Sequence, residues 1–418
     1  MKQVIKSVVM VAPLLFIVGC GDSLNSPASE SVHGGELVVN FPSSAIKPGL
    51  IKKGLIDENR TVYGYKAYKI PYSTTDEEGH EVKSSGLFVI PTGLPSIVNT
   101  TLGLSMVSDD HGTIFANREA PTVVADDYGT PEGSSILLTS LGGFATLQPD
   151  YIGFGDSNDH YHPFVLKDSL ANATVDFIKE VKKFSKENNI TLNNQLFLTG
   201  YSEGGYAAMA TLKKIEEEQL TDLKVTMAAP MAGPYALKRM ADGVLSQSKL
   251  GVPSFMANVG YAYAKAEGEE VSSIINEPYA SQLPTLFNGD LNRTSIDPHL
   301  SYDTTGTDGL FAQSFVTDYF SNDTNWFKVA TTKNSLHAWT PTTPLRLVHC
   351  EGDNVIPFAI SQLTEGTMKA MGATDVAVVP VESALGLPMK VEHAECGSYA
   401  YSVATKMFAD VRKSTIGY

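Results

Sequence analysis

Basic residues and cysteines are scarce in this sequence. Its 418 residues include 31 Lys and Arg against 46 Asp and Glu, which gives a formal net charge of −15 at pH 7. Few side chains could therefore neutralise a run of phosphates, and we expect no binding to nucleic acid. Internal repeats and long low-complexity stretches are also absent from the sequence. With 43% hydrophobic and 18% charged residues, the composition is that of an ordinary globular protein and excludes a disordered chain.

The apolar run at the N-terminus is too short to be a permanent membrane-spanning helix. It covers residues 8–18 and follows Lys2 and Lys6, an arrangement that predicts a signal peptide over residues 1–19. The run ends in Ile-Val-Gly-Cys at Cys20. This segment resembles the lipobox of bacterial lipoproteins, in which the cysteine becomes the lipidated first residue. The resemblance implies lipidation of Cys20; the alternative is an ordinary secretory signal with a chance cysteine.

The segment after the signal peptide has the composition of a linker. Residues 20–35 are rich in Ser and Gly, which predicts a flexible tether. In lipoproteins of this type an Asp directly after the cysteine signals retention at the inner membrane, but here Gly21 occupies that position and Asp22 follows it. The resemblance therefore implies an exported protein anchored to the bacterial outer membrane, in the periplasm or at the cell surface. Several acyl chains together hold a protein on a membrane where one does not.

Three cysteines are present, so a lipidated Cys20 leaves Cys350 and Cys396. An exported protein folds in an oxidising compartment, where the two remaining cysteines can form a disulfide. The bond would close a loop of about 46 residues and, in the chain-entropy treatment, would stabilise the fold by at most roughly 4 kcal/mol. The alternative is a pair of buried free thiols.

The order of segments predicts an α/β protein with a mostly parallel sheet. Residues 63–72 and 82–90 are β-rich runs separated by a polar, Gly-containing segment, and they predict an antiparallel hairpin. Further along, short apolar strands alternate with amphipathic helices, an order that places helices on both faces of the sheet. We expect the core to comprise residues 36–234 and 345–418.

Residues 235–344 interrupt this alternation. The segment has no clean strand–helix pair but many Tyr, Phe, Asn and Pro residues and short helix-like runs. We predict a largely helical cap, or lid, inserted between two strands. Ligands bind at the carboxyl ends of strands in open α/β sheets, so a cap at that edge would shape the substrate pocket.

The sharpest chemical signal is Gly-Tyr-Ser-Glu-Gly-Gly at residues 200–205. It follows the apolar run 196–198 and precedes the helix-forming stretch 206–218. A G-x-S-x-G pattern between a strand and a helix is typical of a nucleophile elbow, in which the serine has a strained backbone and its neighbours are small. The N-terminus of the following helix favours negative charge there. Ser202 is therefore the candidate nucleophile.

A serine nucleophile needs a base, and histidine takes up a proton best near neutral pH. Among the nine histidines, His393 lies after the last predicted strand and before a closing helix predicted over residues 398–411. This position brings it to the carboxyl edge of the sheet, above the elbow, and we select it as the base. His349 lies within a predicted strand, where a structural role is expected.

The acid that orients the base is expected in a turn beyond a strand. Asp353 lies in such a turn; Glu351 is its competitor but lies close to the strand end. The chain order Ser202, Asp353, His393 is the order found in α/β-hydrolases and not in the chymotrypsin or subtilisin folds.

The oxyanion of the tetrahedral intermediate needs two fixed N–H donors. One is the backbone N–H of Glu203, whose side chain is assigned no role. The other is expected after an earlier strand, where His111-Gly112-Thr113 has the H-G-x form used in such loops. Thr113 N–H is the expected donor and Gly112 N–H the alternative. A third reading is that His111 and Gly112 only form a turn.

Together these segments resemble the α/β-hydrolase superfamily, and within it the secretory lipases and their bacterial relatives. The resemblance covers roughly residues 60–415. It is carried by residues 111–113, residues 149–155 with His162-Pro163, residues 200–205, residues 232–235, Asp353 and His393. One departure is Cys350, at a position where Gly often follows the strand histidine.

The resemblance implies hydrolysis of carboxylic esters through an acyl-enzyme on Ser202. The expected substrate is a small-molecule or lipid ester, with no cofactor and no metal. Asp150 and Tyr151 are expected near the pocket in a structural, hydrogen-bonding role. A peptidase with the same triad is one alternative, although the chain has no room for the large propeller of the oligopeptidases. A non-catalytic surface lipoprotein that kept the fold is another.

Overall fold

The computed structural model describes residues 30–52, 56–128, 134 and 136–418. The predicted signal peptide, Cys20 and residues 21–29 of the predicted tether lie outside these ranges. Within the described chain, no helix combines the length and the apolar character that a membrane span requires.

The described strands form one mixed sheet. They are β1 Glu30–Val32, β2 Gly35–Phe41, β3 Gly64–Thr75, β4 Glu81–Thr92, β5 Leu104–Asp110, β6 Ala145–Pro149, β7 Leu192–Tyr201, β8 Val225–Met231, β9 Leu345–His349 and β10 Val376–Pro380. Their order is β1-β2-β3-β4-β6-β5-β7-β8-β9-β10. The pairs from β1 to β6 are antiparallel, and those from β6 to β10 are parallel. The mostly parallel sheet and the predicted hairpin, which is β3 and β4, are both confirmed.

Apart from α1, which lies between the antiparallel strands β2 and β3, the α-helices with described bounds follow parallel strands or lie between β8 and β9. They are α1 Ser43–Lys52, α2 Pro121–Tyr128, α3 Lys167–Glu187, α4 Glu203–Glu217, α5 Leu237–Leu245, α6 Pro253–Glu267, α7 Tyr279–Leu286, α8 Arg293–Ile296, α9 Gln313–Ser321, α10 Trp326–Lys333, α11 Phe358–Ala370, α12 Val381–Leu385 and α13 His393–Ile416.

Helices cover both faces of the sheet, as predicted. In β7, Leu196 and Leu198 belong to a core cluster that includes Phe177 of α3. Phe197, between them, belongs to a second cluster with Phe408 of α13. Because successive side chains of a strand point to opposite faces, α3 and α13 lie on opposite sides of the sheet. β7 is thus buried on both faces, and its end, where the elbow begins, is held between two cores.

The chain between β8 and β9 is helical, as expected for residues 235–344. Helices α5 to α10 lie in this interval, and none of its described residues joins the sheet. Aromatic rings pack the helices together: the Phe327 ring lies 5.6 Å from the rings of Phe315 and Tyr263. The Tyr263 hydroxyl also donates to the Val165 carbonyl oxygen at 3.0 Å. This helical insertion is therefore packed on the core.

Residues 30–35 correct the predicted extent of the tether. They belong to a hairpin in which β1 pairs antiparallel with β2, and Gly34 has a φ of 78° in the turn between them. The Asn188 side chain donates to the His33 carbonyl oxygen at 2.9 Å and fixes this turn to the end of α3. The small polar residues resemble those of a linker, but here they serve a tight turn at the sheet edge.

The closing helix also begins earlier than predicted. It begins at His393 rather than at residue 398, so the candidate base is the first residue of a helix and does not lie in a loop. Gly397 lies inside this helix, where a Cβ would be 3.5 Å from the Tyr201 ring. At this glycine α13 packs against the end of β7.

Candidate active site

Ser202 lies at the turn between β7 and α4. Its backbone angles, φ 61° and ψ −117°, are strained for a residue with a side chain. A Cβ on Gly204 would overlap the Asp110 carbonyl oxygen at the end of β5, and one on Gly205 would overlap that of Met231 at the end of β8. Glycine is therefore required at both positions. The Ser202 N–H donates to the Met231 carbonyl oxygen at 2.9 Å and fixes the turn to β8.

The side chains of Ser202, His393 and Asp353 form a continuous hydrogen-bonded chain. His393 Nε2 lies 3.0 Å from Ser202 Oγ, and His393 Nδ1 lies 2.6 Å from Asp353 Oδ2. A carboxylate only accepts, so Nδ1 carries the hydrogen and Nε2 can take the proton of the Ser202 hydroxyl. The Asp353 side chain has no exposed surface, and that of His393 is 11% exposed. The geometry allows His393 to act as a base toward Ser202.

Four hydrogen bonds hold the Asp353 carboxylate. Oδ1 accepts from the N–H groups of Val355 at 2.9 Å and Ile356 at 2.8 Å. Oδ2 accepts from His393 and also from His349, whose Nε2 lies 3.2 Å away. Burial alone would raise the pKa of this carboxyl, but the hydrogen bonds from His349 and His393 hold the pKa well below its usual range. Asp353 is therefore negatively charged at neutral pH.

Glu382 joins the turn that carries Asp353 to the segment before His393. Its carboxylate accepts hydrogen bonds from the N–H groups of Glu351 at 2.9 Å, Gly352 at 3.2 Å and Val391 at 3.1 Å. The side chain of Glu351, the competing acid, instead forms an ion pair with Lys390. Sequence reasoning missed Glu382, because no local pattern marks a glutamate in a short helix as the acceptor for two distant loops.

The predicted oxyanion loop lies beside the elbow. A Cβ on Gly112 would be 3.0 Å from the Tyr201 carbonyl oxygen and 3.9 Å from Ser202 Cβ. Thr113 lines the same cavity as Ser202. His111 Nδ1 lies 2.8 Å from the Gly112 carbonyl oxygen. A trans peptide group directs its C=O and its N–H oppositely, so this contact also sets the direction of the Thr113 N–H.

Asp150 and Tyr151 have the structural role predicted for them. The Asp150 carboxylate accepts hydrogen bonds from the hydroxyls of Ser85 and Thr122 at 2.5 and 2.6 Å. Burial raises the pKa of this carboxyl to about 6. The Asp150 carbonyl oxygen lies 3.1 Å from His111 Nε2, and the Tyr151 hydroxyl donates to the His111 carbonyl oxygen at 3.3 Å. Both residues therefore fix the position of His111.

Glu203 contributes a side chain as well as a backbone N–H. It begins α4, so its N–H has no partner within the helix. Its carboxylate, which was assigned no role, is buried, and Oε1 lies 2.7 Å from His162 Nε2. His162 Nδ1 lies 2.9 Å from the Ile152 carbonyl oxygen and so carries a hydrogen. The pair connects the start of α4 to the glycine-rich turn after β6. The glycine-rich sequence of that turn does not by itself predict this connection.

A mostly apolar cavity of about 120 Å³ adjoins Ser202. From the core it is lined by Thr113, Phe164, Val165, Ser202, Glu203, Pro234, Val355 and Ile356. The insertion supplies Leu237, Met240, Ala241, Val244, Leu245, Phe255, Met256, Val259, Phe311, Phe327 and Thr331. The five residues of α5 follow a spacing of three and four and so form one face of that helix. The insertion thus builds most of the wall beside the elbow.

Cys350 and Cys396 form a disulfide, so the predicted bond is present and the free-thiol alternative is not. Both residues are fully buried. Cys350 directly follows β9 and precedes the acid turn, while Cys396 lies in the first turn of α13 beside His393. The bond is a second link, besides Glu382, between the segments that carry acid and base.

Comparison with known proteins places this arrangement in a common fold. The sequence model of the prolyl oligopeptidase family, Peptidase_S9, matches residues 133–218, a segment that contains the elbow but neither Asp353 nor His393. Among curated proteins, none matches the sequence.

Solved structures of hydrolases resemble nearly the whole chain. A Legionella pneumophila protein described as a hydrolase is 21% identical, with a TM-score of 0.78, over 91% of this chain and 97% of its own. The rice cell wall degrading esterase LipA from Xanthomonas oryzae is 21% identical, with a TM-score of 0.76, over 93% and 97%. Candida antarctica lipase A in its closed state is 16% identical, with a TM-score of 0.57, over 79% and 73%. The chain therefore has the α/β-hydrolase fold.

The disulfide is expected to contribute substantially to stability. Replacing both cysteines in Cys350→Ala/Cys396→Ala should lower the free energy of unfolding by up to about 4 kcal/mol, because a loop of roughly 46 residues is no longer closed in the unfolded chain. Urea unfolding of the two proteins, followed by circular dichroism, measures the difference. The control is the wild-type protein with its disulfide reduced after unfolding, which should refold to the stability of the double variant. A loss below about 1 kcal/mol would contradict the expectation.

Proposed function

We propose that this protein is a serine hydrolase that cleaves carboxylic esters through an acyl-enzyme on Ser202. The observation that carries the proposal is the hydrogen-bonded chain of Ser202, His393 and Asp353 beside an apolar cavity. A hydroxyl at a strained turn, a base within hydrogen-bond reach and a charged acid behind it are the parts that acyl transfer needs.

The proposed reaction gives each residue a defined task, and His393 acts in turn as base and as acid. His393 Nε2 takes the proton of Ser202 as Oγ attacks the ester carbonyl carbon, and the C=O electron pair moves to the oxygen. The N–H groups of Glu203 and Thr113 would stabilise this oxyanion. When the intermediate collapses, the C–O bond to the alcohol breaks and the alcohol takes the proton from His393. Water, activated by the same base, then releases the acid and restores Ser202.

The cavity supports a short, apolar acyl group as the substrate class. Its insertion wall carries no charged side chain among the described lining residues. A cavity of about 150 Å³ holds a benzene molecule of six carbon atoms, so a cavity of about 120 Å³ accommodates an acyl group of similar or smaller size. We therefore propose preference for short acyl chains over long ones.

A peptidase is the second candidate, because the matching family model is that of the prolyl oligopeptidases. The match covers the elbow and the helix after it, which esterases and peptidases share. Among the described residues that line the cavity, the insertion provides no Asp or Glu that could anchor the amino group of a peptide. The lining therefore favours an ester.

Export and lipidation remain proposals from the sequence. The disulfide between Cys350 and Cys396 supports an oxidising compartment, because stable disulfides are rare in the cytosol. We propose an exported lipoprotein held at the outer membrane through Cys20, with the hydrolase domain beyond the tether.

Removing the Ser202 hydroxyl should abolish ester hydrolysis. We expect Ser202→Ala to lower kcat for p-nitrophenyl butyrate at least about 1,000-fold, as losses of a triad nucleophile do, with little change in Tm. Ser185→Ala, which removes a buried hydroxyl on α3, is the matched control and should retain activity. The corresponding p-nitroanilide separates the two candidate functions, since comparable amide turnover by the wild-type protein would favour the peptidase. Retained ester hydrolysis in Ser202→Ala would overturn the assignment of the nucleophile.

Enlarging the cavity should change the acyl preference. Met240 lines the cavity from α5, and Met240→Ala should raise the ratio of kcat/KM for octanoate to that for butyrate about tenfold, since a few methylenes in an apolar pocket have effects of this size. Arg239→Ala, an exposed change on the same helix, is the control and should leave the ratio unchanged. A wild-type preference for dodecanoate, or an unaltered ratio in Met240→Ala, would contradict the assignment of this cavity to the acyl group.

A further inference from the structure

Two histidines converge on one oxygen of the candidate catalytic acid. His393 Nδ1 lies 2.6 Å and His349 Nε2 lies 3.2 Å from Asp353 Oδ2. Sequence reasoning gave His349 only a structural place in a strand. It lies at the end of β9, four residues before Asp353, and its side chain has no exposed surface. The oxygen that faces His393 is therefore also held by a second, buried imidazole.

The contacts of His349 determine where its hydrogen lies. Nε2 faces two acceptors, Asp353 Oδ2 at 3.2 Å and the Ile356 carbonyl oxygen at 3.0 Å. Neither can donate, so Nε2 carries the hydrogen. Nδ1 lies 2.8 Å from Ser361 Oγ, on α11. In the neutral ring Nδ1 is an acceptor, and the Ser361 hydroxyl donates to it. Each polar atom in these contacts then has a hydrogen-bond partner.

We infer that His349 is a positioning residue for the proposed reaction, which orients the Asp353 carboxylate toward His393 and draws part of its negative charge away from that base. The backbone donors Val355 and Ile356 occupy Oδ1 alone. Without His349, only the bond to His393 would hold Oδ2 directly, so the orientation of Oδ2 would be less restrained as His393 changes its charge during turnover. This inference rests on the proposed function of the triad.

The physical consequence is a shift in the basicity of His393. A hydrogen bond to a carboxylate spreads its charge, so loss of the His349 bond concentrates negative charge on the oxygen that faces His393. The imidazolium form of His393 is then stabilised, and a higher pH is needed to obtain the neutral base. The titratable groups that face Asp353 are His349 on β9, His393 on α13 and Tyr201 at the end of β7.

Substitutions of matched size separate this role from simple packing. His349→Met fills the space without a donor, whereas the amide nitrogen of His349→Gln lies close to the place of Nε2 and can still donate to Asp353. Phe358→Leu is the packing control: the Phe358 ring lies edge-on to the His349 ring at 5.6 Å, so this change loosens the same region but keeps the hydrogen bond.

Three readouts are compared between the wild-type protein and the three variants. They are kcat and KM for p-nitrophenyl butyrate, the pH dependence of kcat/KM, and the deshielded Nδ1–H proton resonance of His393 in NMR spectra. We expect His349→Met to lower kcat about 10- to 100-fold, the size expected for one hydrogen bond to a charged group, with KM changed less than about threefold. In this variant the acidic limb of the pH profile of kcat/KM should move to higher pH, and the Nδ1–H resonance of His393 should shift. His349→Gln should recover most of each effect, and Phe358→Leu should lower Tm without moving the limb.

An unchanged acidic limb and resonance in a folded His349→Met protein would overturn the inference, as would a His349→Gln variant as impaired as His349→Met. The NMR readout needs no turnover. It therefore tests the role of His349 even if the wild-type protein proves inactive toward esters, an outcome that would instead overturn the proposed function.

Discussion

The buried negative charge on Asp353 is the constraint on which the arrangement of the site depends. A carboxylate with no exposed surface is unfavourable unless several donors surround it. Here two backbone N–H groups and two imidazoles supply those donors. They come from the acid turn itself, from β9 and from α13, so three segments must meet correctly before the charge is stabilised. The same contacts that stabilise the buried charge of Asp353 also set the orientation of His393 toward Ser202.

The segments around this charge are held together by links of different kinds. The disulfide Cys350–Cys396 is a covalent link between the end of β9 and the first turn of α13. Glu382 joins the same two regions through three backbone N–H groups. On the other side of Ser202, glycines at the elbow allow α4 to lie against the ends of β5 and β8. The side chains of Ser202, His393 and Asp353 are thus fixed by backbone geometry as much as by their own hydrogen bonds.

Local patterns in the sequence predicted the elements and the three residues that meet at the site. The elbow at Ser202 and the turn at Asp353 have recognisable sequence patterns, because strained turns and strand ends restrict the residue types that fit. The order of strands and helices predicted the parallel sheet. The start of α13 was missed: the helix begins at His393 and not at residue 398. Glu382 and the His162–Glu203 pair were missed or left without a role because their partners are non-local. His349 was given only a structural place, although its partners Asp353, Ile356 and Ser361 follow it closely in the chain.

The proposed specificity depends on the part of the sequence whose structure was hardest to predict. The sequence of residues 235–344 predicted a helical cap that shapes the pocket but not which of its residues line it, and only packing shows that one face of α5 borders Ser202. The central claim is that Ser202 attacks a carbonyl group as an activated nucleophile. Its most direct test is the reaction of the folded protein with a fluorophosphonate, followed by mass spectrometry of the intact chain and of its peptides. The account predicts a single adduct on the peptide that contains Ser202. No adduct, or an adduct on another serine, would contradict it.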